Sequence, residues 1–80
     1  MTIVRAAQIC YGCPSQWDVW NTSGDYMYLR FRHGHGTVQD EDRNLITSFN
    51  TDDDPDLDGI ISLPEFARRA GLTLSPNLEY

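Results

Sequence analysis

The twelve residues Asp54-Pro55-Asp56-Leu57-Asp58-Gly59-Ile60-Ile61-Ser62-Leu63-Pro64-Glu65 carry the most specific chemistry in this chain. Carboxylates at the first, third, fifth and twelfth positions suit a hard dication, which takes about six to eight oxygen ligands. Gly59 permits the sharp turn that returns later ligands over the ion. The expected Ca2+ ligands are Asp54, Asp56, Asp58, the Ile60 carbonyl, Ser62 acting through water, and Glu65 with both oxygens. The competing reading is an acidic turn that only adds solubility. Five constrained positions filled at once, together with apolar Ile61 at the eighth, favour the cation. A register beginning at Asn50 fails because Pro55 would fall at the glycine position with the wrong fixed backbone angle.

Lesser constellations are weaker. Cys10 and Cys13, with His33 and His35, have the count of a zinc site, but a His spacing of two falls short of the usual three to five. Two reduced, partly buried thiols are the simpler reading. Tyr26, Tyr28, Arg30 and Arg32 lie on one face of an alternating run and form a candidate partner-binding surface, since Tyr and Arg are enriched at interface hot spots. The same set could stack bases and pair phosphates. Ser15, His33 and Asp18 follow no nucleophile spacing, so no catalytic residue is assigned and no enzyme is expected.

Several elements must position these groups. Gln16–Trp20 and Tyr26–His33 alternate as strands, the latter with Met27, Leu29 and Phe31 on its other face. Thr22 to Asp25 is turn chemistry, and Thr37–Gln39 is a short third strand. Thr2–Cys10 fits a strand or a helix. Leu45, Ile46 and Phe49 suggest a short helix entering the acidic loop. Ser62 caps a second helix, with Pro64 in its first turn, Glu65 completing a capping box and Gly71 ending it. The expected core is Trp17, Val19, Met27, Leu29, Phe31, Leu45, Ile46, Phe49, Ile61 and Phe66.

The loop and the helix after it resemble the EF-hand family. That resemblance implies a helix–calcium loop–helix unit. The family's apolar positions one and four residues before the first ligand are Asp53 and Asn50 here, so the entering helix is offset. Hands pair, and this chain has one. Ile61 would therefore pair with a second copy in a homodimer, or the sheet would take the missing hand's place. Cys10-Tyr11-Gly12-Cys13-Pro14-Ser15-Gln16-Trp17, with Tyr28-Leu29-Arg30-Phe31-Arg32, resembles short proteins of actinobacteria and their bacteriophages. This implies a small accessory protein acting on a host component.

Composition sets the bounds. Eighty residues with two Trp, four Tyr and three Phe allow one domain, 1–80, with a modest core. The fold class expected is α+β: an antiparallel sheet of two to three strands, then a helix–calcium loop–helix unit. The net charge of −6 is uneven. Residues 1–39 form an aromatic, β-rich half with Arg5, Arg30 and Arg32 against Asp18 and Asp25. Residues 40–80 form an acidic half that disfavours nucleic acid, leaving a protein as the expected partner. No run approaches the ~20 apolar residues of a membrane span, and the N-terminus lacks a signal-peptide pattern. A cytoplasmic location is the expectation, within the host if the chain is phage-encoded. The function expected is a non-enzymatic calcium-binding interaction module with a structural ion. The alternatives are a binding sheet with an incidental loop, and a Cys/His zinc module.

Overall fold

Period-two alternation runs through the first fifty residues, and it builds strands. The computed structural model describes residues 1–11, 14–53 and 60–79. The strands are β1 (Thr2–Tyr11), β2 (Ser15–Asn21), β3 (Tyr26–Arg32), β4 (His35–Asp40) and β5 (Leu45–Asn50), followed by α1 (Leu63–Ala70) and β6 (Thr73–Glu79). They form one six-stranded sheet in the order β5-β4-β3-β2-β1-β6. The first five make an antiparallel meander. β6 pairs parallel to β1, with Thr2 opposite Thr73 and Ile3 opposite Leu74.

Turn chemistry sets the hairpins. His33 and Gly34 both have positive φ, 51° and 74°, which is the two-residue turn matched to strand twist. The β2–β3 and β4–β5 loops share another geometry. In each, a residue bonds back three positions, Gly24 to Asn21 and Arg43 to Asp40, and holds a left-handed φ, 82° and 67°. Side chains secure both loops: Asn21 Oδ1 accepts from the Ser23 and Asp25 amides, and Asp40 Oδ1 from those of Asp42 and Asn44.

The core lies on one face only. Ile3, Trp17, Val19, Met27, Leu29, Phe31 and Val38 point toward α1, which buries Leu63, Phe66 and Ala67 against them. Phe66 meets Trp17 edge-on at 5.6 Å and Phe49 at 4.9 Å, while Phe49 stacks on Phe31 at 6.1 Å. Phe49 lies over Gly36, where a Cβ would sit 2.2 Å from its ring. α1 forms as its sequence suggests. Ser62 accepts the Glu65 amide at 3.3 Å, and Gly71 closes the helix at φ 77°.

Two expectations are corrected here. Leu45–Phe49 is strand, not helix, so the EF-hand helix–loop–helix unit does not form, and α1 is the only helix among the described residues. Leu45, Ile46 and Phe49 fit both periods, but Ile46, Thr47 and Phe49 favour a strand, and β4 offers an open edge to pair with. The sheet is also larger than the two or three strands expected, because Thr2–Tyr11 and Thr73–Glu79 join it. In consequence Leu45 and Ile46 leave the core, at 60 % and 44 % exposure.

The connection from β5 to β6 runs from one edge of the sheet to the other. α1, within that connection, covers the apolar face. Ile61, 4 % exposed, packs in this core, so the sheet buries the side chain that an isolated hand would offer to a second copy.

Candidate binding face

Strand register places the remaining side chains on the opposite face in three cross-sheet rows. One row holds Arg5, Trp20 and Tyr26. The next holds Ala7, Asp18, Tyr28, Gln39 and Leu45. The third holds Cys10, Gln16, Arg30, Thr37 and Ser48. Among the described residues no element covers this face.

The rows are held together by specific contacts. The Arg5 guanidinium carbon sits 4.6 Å from the Trp20 ring centroid, a cation–π distance. Trp20 and Tyr26 rings lie 5.7 Å apart, tilted. The Tyr26 hydroxyl donates to Asp18 Oδ1. Burial, reinforced by that bond and by the Asp18 charge, pushes the Tyr26 phenol up to about 12. Burial also raises the Tyr28 phenol, with Arg30 opposing. Both rings are thus neutral, pre-positioned surfaces at physiological pH, and neither is tuned toward a base.

Two open hollows flank Tyr26. One, of about 690 Å³, is lined by Asp18, Tyr28, Arg30, Gln39 and Arg43 among others. The other, of about 500 Å³, lies beside Trp20, Asn21, Asp25 and Ile46. Tyr26, Asp40 and Glu41 line both. Asp40 is fixed by the amide and side chain of Asn44, and the amide bond foremost holds its carboxyl below the usual range. No protein-family model, curated protein or solved structure matches this chain.

Of the four residues expected on this surface, Tyr26, Tyr28 and Arg30 stand side by side. Arg32 lies at the β3–β4 turn opposite His35, exposed. Sequence reasoning missed Arg5, Trp20 and Asp18 as members. Their signal was available in the alternation of Gln16, Asp18 and Trp20, but recruiting Arg5 required knowing that β1 is a strand with an irregularity between Ile3 and Arg5.

The expected metal centres fare differently. Asp54, Asp56 and Asp58 lie outside the described residues, as does Cys13. Ile60 is exposed, and Ser62 Oγ is engaged as the helix cap. Glu65 is held by two guanidinium groups, from Arg68 Nε at 3.0 Å and Arg69 Nε at 2.7 Å. Hydrogen bonds from Arg68 and then Arg69 pull its carboxyl down to about 2. Arg69 also reaches Asp53 at 3.0 Å. Cys10 is a free thiol on the open face, while His33 forms the β3–β4 turn and His35 Nδ1 lies 2.9 Å from Asn50 Oδ1. Among the described residues no three His, Cys, Asp or Glu side chains gather to hold a metal. No helix there is long and apolar enough to cross a membrane.

Proposed function

We propose that this chain is a non-enzymatic binding module whose uncovered sheet face recognises a partner protein. The observation that carries the reading is the contiguous set Arg5, Trp20, Tyr26, Tyr28, Arg30 and Asp18 on a face that no element covers among the described residues. Trp, Tyr and Arg are the side chains that most often dominate binding energy, and here strand pairing fixes them before any partner arrives. A fitting partner presents an apolar or aromatic group to the Trp20 ring and a carboxylate to Arg30.

Charge favours protein over nucleic acid. Arg5 and Arg30 on the face are offset by Asp18, and Arg43 at the rim by Asp40 and Glu41. A phosphate backbone would meet no net positive track, in a chain of net charge −6.

Affinity capture with variant baits tests this reading. A partner held by the unmodified chain should be lost with Trp20→Ala and with Arg30→Glu, and kept with Asp54→Ala. A partner that survives both face substitutions, or departs only with Asp54→Ala, refutes it. Tight binding of single-stranded DNA at 150 mM salt, measured by anisotropy, would move the assignment to nucleic acid.

A further inference from the structure

The two edges of this sheet are built differently. β6 carries Pro76, which has no N–H to offer, pairs irregularly between Leu74 and Glu79, and ends on a carboxylate. β5 has none of these protections over most of its length. Residues 44–51 contain no ionisable side chain and no proline, in a chain that is 22 % charged. The one irregularity lies at its start, between Val38 and Gln39, and Thr47–Asn50 pair regularly with β4.

Hydrogen-bond alternation shows which groups face outward. The Thr51 amide donates to the Gly34 carbonyl at 2.8 Å. Bonded pairs recur every second residue in an antiparallel ladder, so Phe49 and Thr47 bond β4 through Gly36 and Val38. The N–H and C=O groups of Ser48 and Asn50 then point away from the sheet. Among the described residues no strand lies beyond them. Leu45 and Ile46 stand exposed beside this edge.

Charge at its two ends selects the occupant. The turn before β5 holds Asp40, Glu41 and Asp42 against one Arg43; after it come Asp52 and Asp53, the latter bridged to Arg69. A second copy paired antiparallel would set the first cluster beside the second. Paired parallel, it would set each beside itself. Both arrangements oppose like charges.

We infer that the β5 edge binds an extended segment of another protein, uncharged at its centre and carrying Lys or Arg at both ends, by strand addition. Main-chain bonds to Ser48 and Asn50 supply the pairing, and the flanking carboxylates set direction-independent preference for basic ends. This site borders the open face and shares Asp40 and Glu41 with its hollows, but it is read by main-chain pairing at β5, so Ser48→Pro tells its failure from that of the face.

A fluorescein-labelled peptide, Lys-Lys-Thr-Val-Thr-Val-Thr-Lys-Lys, is the probe, read by anisotropy at 150 mM salt. Saturable binding below 1 mM is expected, at least tenfold weaker for a version with Glu in place of Lys and for one with a central Pro. Ser48→Pro removes an outward donor that β4 does not use and should weaken binding at least tenfold. Trp20→Ala and Arg30→Glu should leave it unchanged. In the unmodified chain, peptide should slow exchange of the Ser48 and Asn50 amides, a readout that does not depend on the variant folding. No saturation at 1 mM, equal binding of the proline peptide, or unaltered amide exchange overturns the inference. Self-association of the free chain that Ser48→Pro abolishes would assign the edge to a second copy and overturn it equally.

Discussion

Gly36→Ala should destabilise this domain out of proportion to one methyl group. The backbone there needs no special conformation, and alanine in a strand interior would by itself be favoured by about 0.5–1 kcal/mol. Against this, the new Cβ would lie 2.2, 2.3 and 2.9 Å from three atoms of the Phe49 ring. The ring must move by more than 1 Å to restore ordinary contact at ~3.5 Å. It has little room, since Phe31 stacks behind it and Phe66 abuts its edge at 4.9 Å. An overlap this deep falls in the upper part of the cost of overpacking, about 2–3 kcal/mol, leaving a net loss of about 1–2.5 kcal/mol. For a chain of 80 residues, each kcal/mol moves Tm by about 4–8 °C, so thermal unfolding should shift down by about 5–15 °C. The cause is separable from general strand damage. In a Phe49→Leu background the same substitution should be close to neutral, giving a coupling of about 1 kcal/mol or more in the double-mutant cycle. A Gly36→Ala variant as stable as the parent, or one equally harmful in both backgrounds, refutes the argument.

Arg43→Gly should stabilise the fold by about 0.5–1 kcal/mol, because Arg43 holds a left-handed φ of 67° where Gly24 serves in the matching loop; chemical denaturation measures it. Absorbance at 295 nm should reveal one phenol with a midpoint near 12, and Asp18→Asn should lower that midpoint. The raised value means that the stability linked to Tyr26 is complete below about 10 and is lost as pH rises through about 12. Glu65 has the opposite sign: its depressed carboxyl contributes above 4.5, and that contribution disappears as pH falls through about 2. Acid titration of Arg68→Ala/Arg69→Ala should lack this component. Calcium that reaches Glu65 must displace both guanidinium groups, so calorimetry should give a Kd no tighter than ~10⁻⁴ M, with the double variant binding more tightly. Saturable heats at micromolar calcium in the unmodified chain contradict this.

Local patterns in the sequence were reliable where one period dominated. Tyr26–Arg32 alternates without ambiguity, and both of its faces appear as read. The Ser62 cap and Gly71 stop depend only on neighbouring residues, and α1 begins and ends there. Leu45–Phe49 failed because five residues fit either period, and the deciding factor, an unpaired edge on β4, is tertiary. β6 escaped notice for a related reason. Pro76 and Asn77 interrupt its pattern, and its partner lies some seventy residues away in β1. The open face was half legible: Tyr26, Tyr28 and Arg30 share one strand, whereas Arg5, Asp18 and Trp20 join them only through cross-strand register.

The edge-to-edge crossover also dictates an order of assembly. Hairpins β1 through β5 join residues close in sequence, and each closes a short loop at small entropic cost. Pairing Thr2 with Thr73 closes nearly the whole chain, and it can be rewarded only after α1 has settled across the meander. β6 should therefore dock last and detach first. Its amides should exchange at a lower opening free energy than those of β2 and β3, so the sheet's permanent frame is the meander and its sixth strand is a latch.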